Sequence, residues 1–447
     1  MNRRFLFWIM FIAINGGFLF GLNMAGISGA VEMIKGEFNL GDSGLGTVAA
    51  LLTIGCLIGA LFTGNFTEKY GRKNVMITTA VLYVISAIGC ALAGSSAMLI
   101  IFRLLSGLAV GATSVAGPMY ISEISPAHNR GKLVSMNQFA ITFGILLAYI
   151  ADFLLLGLGE NSWRYMLAVP AFFGTAYLIF LITSLPESPR WLLSKNRKDE
   201  AVNVMKKIGG QQLIDDELPE MERILIIEKG RERIQLGEIF KGKTGKIVLI
   251  GTLLAAFQQI TGINAVIMFA PEIFQSSGSA EVDSMMLSVI VGLVNFFMTI
   301  IALWLVDKKG RKTLLLWGAA GMTISLGYLC FEFAKPVQNG VGVLIALLVY
   351  ISFFAASFAP VMWVIISEIY PNRIKGVAMS FSTAVSWLCV FLVVYFAPVI
   401  QGALGLNYLF GMFGVFSVCA FVFVKIWIPE TKGKTLEEIQ MQLGFKE

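Results

Sequence analysis

The amino-acid sequence predicts an all-α membrane protein: twelve transmembrane helices in two six-helix bundles, joined by a cytoplasmic helical linker. Three observations predict it. First, 57% of the 447 residues are hydrophobic and 14% charged, with a mean hydropathy of +0.77. A soluble globular chain is about 45–50% apolar and about 25% charged. Second, apolar runs near the ~20 residues that carry a helix across a bilayer recur twelve times. Third, polar signatures in the first half return in the second.

The apolar runs fall at 5–31, 44–66, 74–94, 97–121, 133–157 and 164–185, then at 246–274, 284–306, 313–334, 340–367, 376–400 and 406–428. The first begins like a signal peptide, with Arg3 and Arg4 ahead of FLFWIMFIAI. It continues to Ile27 without a small-residue cleavage site, so it reads as a retained first helix. An even number of spans places both termini on one side. Lys69, Arg72, Lys73, Arg130, Lys132, Lys308, Lys309, Arg311 and Lys312 crowd one set of loops, whereas the alternate set holds little beyond Lys35, Arg164 and Lys335. The positive-inside rule then makes both termini cytoplasmic, in a multi-pass protein of the inner cell membrane.

The same rule accounts for the net charge of +6 without a nucleic-acid partner. The five cysteines lie in apolar runs without metal spacing, and His128 is the single histidine, so no metal site, cofactor or disulfide framework is indicated. The boundaries that follow are 1–185 for the first bundle, 186–245 for the linker, 246–428 for the second bundle and 429–447 for a cytoplasmic tail. In the linker, Val202, Met205 and Ile208 recur at helical spacing among charged residues. This fits short amphipathic surface helices; a calmodulin-type target segment is the sharper alternative.

The repeat is specific. Glu68-Lys-Tyr-Gly71-Arg72-Lys73 returns as Asp307-Lys-Lys-Gly310-Arg311-Lys312, offset by 239. Ser122-Glu123-Ile-Ser-Pro126 returns as Ser367-Glu368-Ile-Tyr-Pro371, offset by 245, and Pro186-Glu187-Ser188 returns as Pro429-Glu430-Thr431, offset by 243. Three signatures in one order, each at a cytoplasmic helix end, imply two related six-helix halves with a solute site between them near the midplane.

With Pro186-Glu-Ser-Pro-Arg-Trp191, Gln258-Gln259, Gly262-Ile-Asn264 and Pro429-Glu-Thr-Lys-Gly-Lys434, the chain resembles the sugar porter family of the major facilitator superfamily along essentially its whole length. The resemblance implies a transporter rather than an enzyme. Its partners would be a monosaccharide (hexose or pentose) and the lipid bilayer, and it would work as a monomer.

A sugar offers hydroxyls that donate and accept, on a ring with apolar faces. Amides and an aromatic wall suit it without burying a charge. Gln138, Gln258, Gln259, Asn264 and Asn295 lie inside apolar spans, with Trp363 and Trp387. The alternative for each amide is helix-to-helix glue, about 0.6 kcal/mol in a membrane interior. On an ideal helix Asn264 points about 120° away from Gln258, and Gly262 could break the helix and bring them together. In the family, residues matching all of these except Trp363 contact sugar. Departures from the family pattern are Ser386 before Trp387, Met268-Phe269 after the Gly-Ile-Asn segment, and Ala359 before Pro360.

Proton-coupled members of the family pair a first-helix aspartate with a fourth-helix arginine. Here the matching positions are Asn23 and Arg103. An amide takes up no proton at physiological pH, so the expectation is uncoupled uniport. Proton-coupled symport through another carboxylate, with Asp152 in the fifth span as its carrier, remains the alternative; a solvated Asp152 near the external end is the competing view. Arg72, Glu123, Arg130, Glu187, Arg311, Glu368 and Glu430 are expected to form a gating network that closes the inner face in the outward-open state. Exposed ion pairs contribute about 0–1 kcal/mol each, so several must act together. A non-transporting sugar sensor and a drug or organic-ion exporter on the same fold are the rival functions.

Overall fold

A backbone in hydrocarbon must satisfy its own hydrogen bonds, which leaves a chain this apolar little choice but helix. The structure, a computed structural model, describes residues 3–125, 130–229, 240, 242–370 and 374–432. Among these residues every regular element is helical. Twelve spans, some built of more than one helix, are long and apolar enough to cross a membrane.

The first bundle contains α1 (Arg3–Ala25), α2 (Val31–Glu37), α3 (Asp42–Tyr70), α4 (Arg72–Ala91), α5 (Ser96–Ile124), α6 (Arg130–Leu155) and α7 (Ser162–Ser184). The linker carries α8 (Pro189–Ser194) and α9 (Lys198–Lys229). The second bundle contains α10 (Gly242–Ile260), α11 (Ile263–Met268), α12 (Ala270–Ser276), α13 (Glu281–Lys309), α14 (Arg311–Phe333), α15 (Gly340–Ala356), α16 (Phe358–Ile369), α17 (Lys375–Leu404) and α18 (Leu406–Trp427).

Three of the apolar runs are broken helices, the break at Gly262 among them as the sequence allowed, and each break has a local cause. The first run stops at Ala25 and turns through Gly26 into a 3-10 turn at Ser28–Ala30 before α2. The seventh breaks at Gly262, whose φ of +98° lies in the left-handed region that only glycine enters without strain. The tenth breaks at Ser357. There Pro360 has no N–H to give the Ala356 carbonyl, so the helical ladder is interrupted.

The repeat appears in the turns. Gly71 ends α3 and begins α4 with φ +96°, and Gly310 joins α13 to α14 with φ +89°. In the linker, Met205 and Ile208 are buried and Val202 half-buried, as the amphipathic spacing implies. Trp191 fastens α8 to the bundle by donating from Nε1 to the Glu68 carbonyl at 3.0 Å. Pro126, Pro371, residues 230–239 and the tail from 433 lie outside the described residues.

The bundles meet chiefly along two helix pairs, α3 with α17 and α6 with α13. At the end away from the linker, the 3-10 turn touches α12 and α1 touches α11. The same end is closed so tightly at Gly46 that an added Cβ would lie 2.4 Å from the Tyr395 carbonyl oxygen.

Candidate functional site

The break at Gly262 assembles the polar centre of the second bundle. It turns α11 relative to α10, so that Asn264 Nδ2 donates to Gln259 Oε1 at 2.7 Å. Gln259 Nε2 donates in turn to Gln258 Oε1 at 3.0 Å and to Ser386 Oγ, on α17, at 3.0 Å. Gln258 Nε2 donates to the Phe358 carbonyl at 2.9 Å, at the start of α16. Gln258 is therefore buried and ties α10 to α16, while Gln259 and Asn264 remain half-exposed inside the bundle. Gln258 is thus helix glue, while Gln259 and Asn264 bond each other and Ser386 and are less deeply buried.

Asn295 on α13 is 6% exposed, and Trp387, one residue beyond Ser386, is 8% exposed. The Trp387 ring packs on Phe20 of α1 with centroids 5.7 Å apart, so this aromatic wall joins the two bundles. Gln138 sits half-buried on α6. Trp363 on α16 is 37% exposed.

The first-helix position holds no carboxylate. Asn23 Nδ2 donates to the Leu19 carbonyl at 2.8 Å, and Asn23 Oδ1 accepts from Ser106 Oγ at 2.6 Å. Arg103 Nη1 donates to the Asn23 backbone carbonyl at 3.2 Å, which gives the guanidinium one partner. Asp152 is not solvated: it is 1% exposed because the 3-10 turn after α1 folds over it. Its Oδ2 accepts from the Gly29 N–H at 3.0 Å and from Ser28 Oγ at 3.3 Å.

The charged signatures form one cluster in each bundle at the linker end. Arg72 Nη2 pairs with Glu123 Oε1 at 2.7 Å, and Ser188 Oγ donates to the other oxygen of Glu123. Glu187 accepts from the backbone N–H groups of Arg72 (3.0 Å), Lys73 (3.2 Å) and Ser188 (2.8 Å), at the N-terminus of α4 where the helix dipole favours an anion. Burial still pushes its carboxyl above the usual range, against the pull of those donors. In the second bundle, Arg311 Nη2 pairs with Glu368 Oε1 at 3.3 Å, and Glu430 accepts from the N–H groups of Arg311 (2.9 Å) and Lys312 (3.2 Å). A side chain at either joining glycine would collide with the acid: a Cβ on Gly71 would meet Glu187 Oε2 at 2.2 Å, and one on Gly310 would meet Glu430 Oε2 at 2.6 Å. In this structure the named bonds of the two clusters each stay within one bundle; the network across the inner face is expected of the outward-open state. Arg130 opens α6, and its side chain lies outside the described residues.

Sequence reasoning missed Tyr149 and Phe20. Tyr149 had a signal: Pro271 stands four residues after Ile267 and cannot donate to its carbonyl, so some other group must. Phe20 carries none, since an aromatic in such a segment is ordinary.

The chain matches the family model described as Sugar (and other) transporter over residues 9–443. It is 36% identical over 477 aligned positions to the D-xylose-proton symporter of Escherichia coli (strain K12), covering 98% of this chain and 96% of that protein. It is 36% identical over 437 positions to the Glucose transporter GlcP of Staphylococcus epidermidis (strain ATCC 12228 / FDA PCI 1200), covering 97% and 96%. Among solved structures, the inward open conformation of the xylose transporter XylE from E. coli matches with a TM-score of 0.86 at 35% identity, covering 98% of this chain and 99% of that one.

Proposed function

Because the chain belongs to the sugar porter family of the major facilitator superfamily, and is thus a sugar transporter rather than an enzyme, we propose that it carries a neutral pentose or hexose by alternating access. The carrying observation is the hydrogen-bonded row Asn264–Gln259–Gln258 with Ser386, brought together by the break at Gly262. These groups, with Gln138, Asn295 and the Trp387 ring, offer donors, acceptors and an apolar wall without a net charge. A neutral polyol can exchange its water for them and leave again.

The protein sits in the cytoplasmic membrane as a monomer, with the linker end and both termini inward, by the distribution of its basic loops. Residues 1–185 and 246–428 are the two rocking halves. In the present state the end away from the linker is closed, in keeping with the likeness to an inward-open relative. The charged clusters of the two halves then meet across the linker end when the protein opens outward.

The Asn23 position supplies no proton site, which supports uniport. A second reading is favoured by one observation: Asp152 is a wholly buried carboxylate at the outer closure, and a relative bears the name of a proton symporter. Uptake of radiolabelled pentoses and hexoses into proteoliposomes, with and without an inward proton gradient, tests both. Saturable uptake of one sugar is expected. Accumulation above equilibrium that follows the gradient and disappears in Asp152→Asn replaces uniport with symport. Failure of every sugar to bind or enter overturns the proposal.

A further inference from the structure

We propose that Arg103 and its surroundings form a binding site for a small, weakly hydrated monovalent anion such as chloride. The assignment does not depend on which solute the protein carries.

Arg103 lies within an apolar span on α5 with 2% of its surface exposed. Guanidinium does not give up its proton in a protein, so this is a permanent buried charge. Of its donors, Nη1 has the Asn23 carbonyl, while Nε and Nη2 are buried and have no hydrogen-bond partner. The adjacent amide cannot supply one by turning. Asn23 Oδ1 is held by Ser106 and Asn23 Nδ2 by the Leu19 carbonyl. The titratable side chains that act on the guanidinium are Cys56 and Cys90, whose thiols are uncharged at neutral pH.

The space beside the guanidinium is a small cavity. Asn23, Cys90, Arg103 and Ser106 are its polar lining, and Leu22 and Met166 are among its apolar walls. It is far too small for a sugar. A water molecule there would satisfy N–H groups but leave the positive charge uncompensated in a medium where charge is expensive. A halide accepts from both unpartnered nitrogens and neutralises the charge. The apolar walls favour a weakly hydrated monoanion over sulfate or phosphate, and flexible Met166 can adjust to its radius.

The site can be tested on purified full-length protein. Its thermal midpoint should rise with chloride, at constant ionic strength against gluconate, in the saturable manner of a ligand that binds only the folded state. Crystals soaked in bromide should show an anomalous peak in contact with Arg103 Nη2 or Nε. Asn23→Asp places a covalent carboxylate beside the guanidinium, so this variant should fold, lose the halide dependence and lose the bromide peak. Equal midpoints in chloride and gluconate with no bromide peak would mean that water alone fills the cavity, and would overturn the assignment. So would an Asn23→Asp variant that keeps the wild-type halide response.

Discussion

The Tyr149 hydroxyl donates to the Ile267 carbonyl at 2.6 Å, from α6 of one bundle to α11 of the other. The carbonyl is free because the residue four positions on is Pro271. Met268-Phe269 offers no hydroxyl at this closure, and Tyr149 supplies one from the facing half. Tyr149→Phe leaves a buried carbonyl without a donor, a loss of about 1–3 kcal/mol borne by the closed outer end alone. The expected result is a shift toward the outward-open state. An Ala270→Cys reporter, 1% exposed in the present state, should react faster with an impermeant maleimide in the Tyr149→Phe background. Equal rates would show that the bond does not hold the closure.

The two adjacent glutamines should separate in their effects. Gln259 is half-exposed and connects Asn264 with Ser386. Gln259→Leu removes one or two hydrogen bonds to a neutral ligand, at about 0.5–1.5 kcal/mol each, so sugar affinity should fall by about twofold to a hundredfold with little change in thermal midpoint. Gln258→Leu cuts the tie to the Phe358 carbonyl and should lower the midpoint as well. Calorimetric binding alongside thermal melts makes the comparison. Identical behaviour of the two variants would remove the distinction drawn between them.

Helix number and the repeated ends were legible because they depend on local apolar length and on short signatures at fixed offsets. The kink at Gly262 was legible too, since amides at 258 and 264 converge only if the helix breaks between them. The burial of Asp152 was not legible, because it depends on α1 ending at Ala25 and folding back, and Gly26 alone does not announce that. Tyr149 bonds a backbone group 118 residues away, which no periodicity encodes. The exposure of Trp363 and the partners of Glu123 and Glu368 depend on how distant helix ends pack together, which a short signature does not encode.

Glu187 gives a pH dependence with a definite sign. Its carboxyl titrates above the ordinary value of 4.5 because burial outweighs the three N–H donors. A group raised on folding stabilises the native state fully below its unfolded pKa and loses that contribution as pH rises through the folded value. Glu187→Gln mimics the protonated form at every pH. The midpoint of wild type relative to Glu187→Gln should therefore decline as pH is raised from below 4.5 through the folded value. A difference that grows with pH over this window would mean that the donors, not burial, control the group.

Gly262 couples backbone geometry to ligand binding, so its replacement is the sharpest test of how the site is made. At φ +98° an alanine is strained by about 1–3 kcal/mol. Its Cβ would also lie 2.4 Å from Phe413 Cδ2, within the ring of a side chain that is 1% exposed and has no room to retreat. Gly262→Ala can relieve both by letting α10 run on as regular helix. Residue 264 then swings away from 259, and the bond between Asn264 and Gln259 is lost. Such a protein should still insert and melt cooperatively but bind sugar at least tenfold more weakly. Pairing it with Phe413→Ala separates the two causes, because the smaller side chain removes the collision and leaves the backbone strain. If Gly262→Ala, Phe413→Ala still fails to bind, the left-handed turn itself brings the amides together. Wild-type affinity in Gly262→Ala alone would show that the site forms without the break.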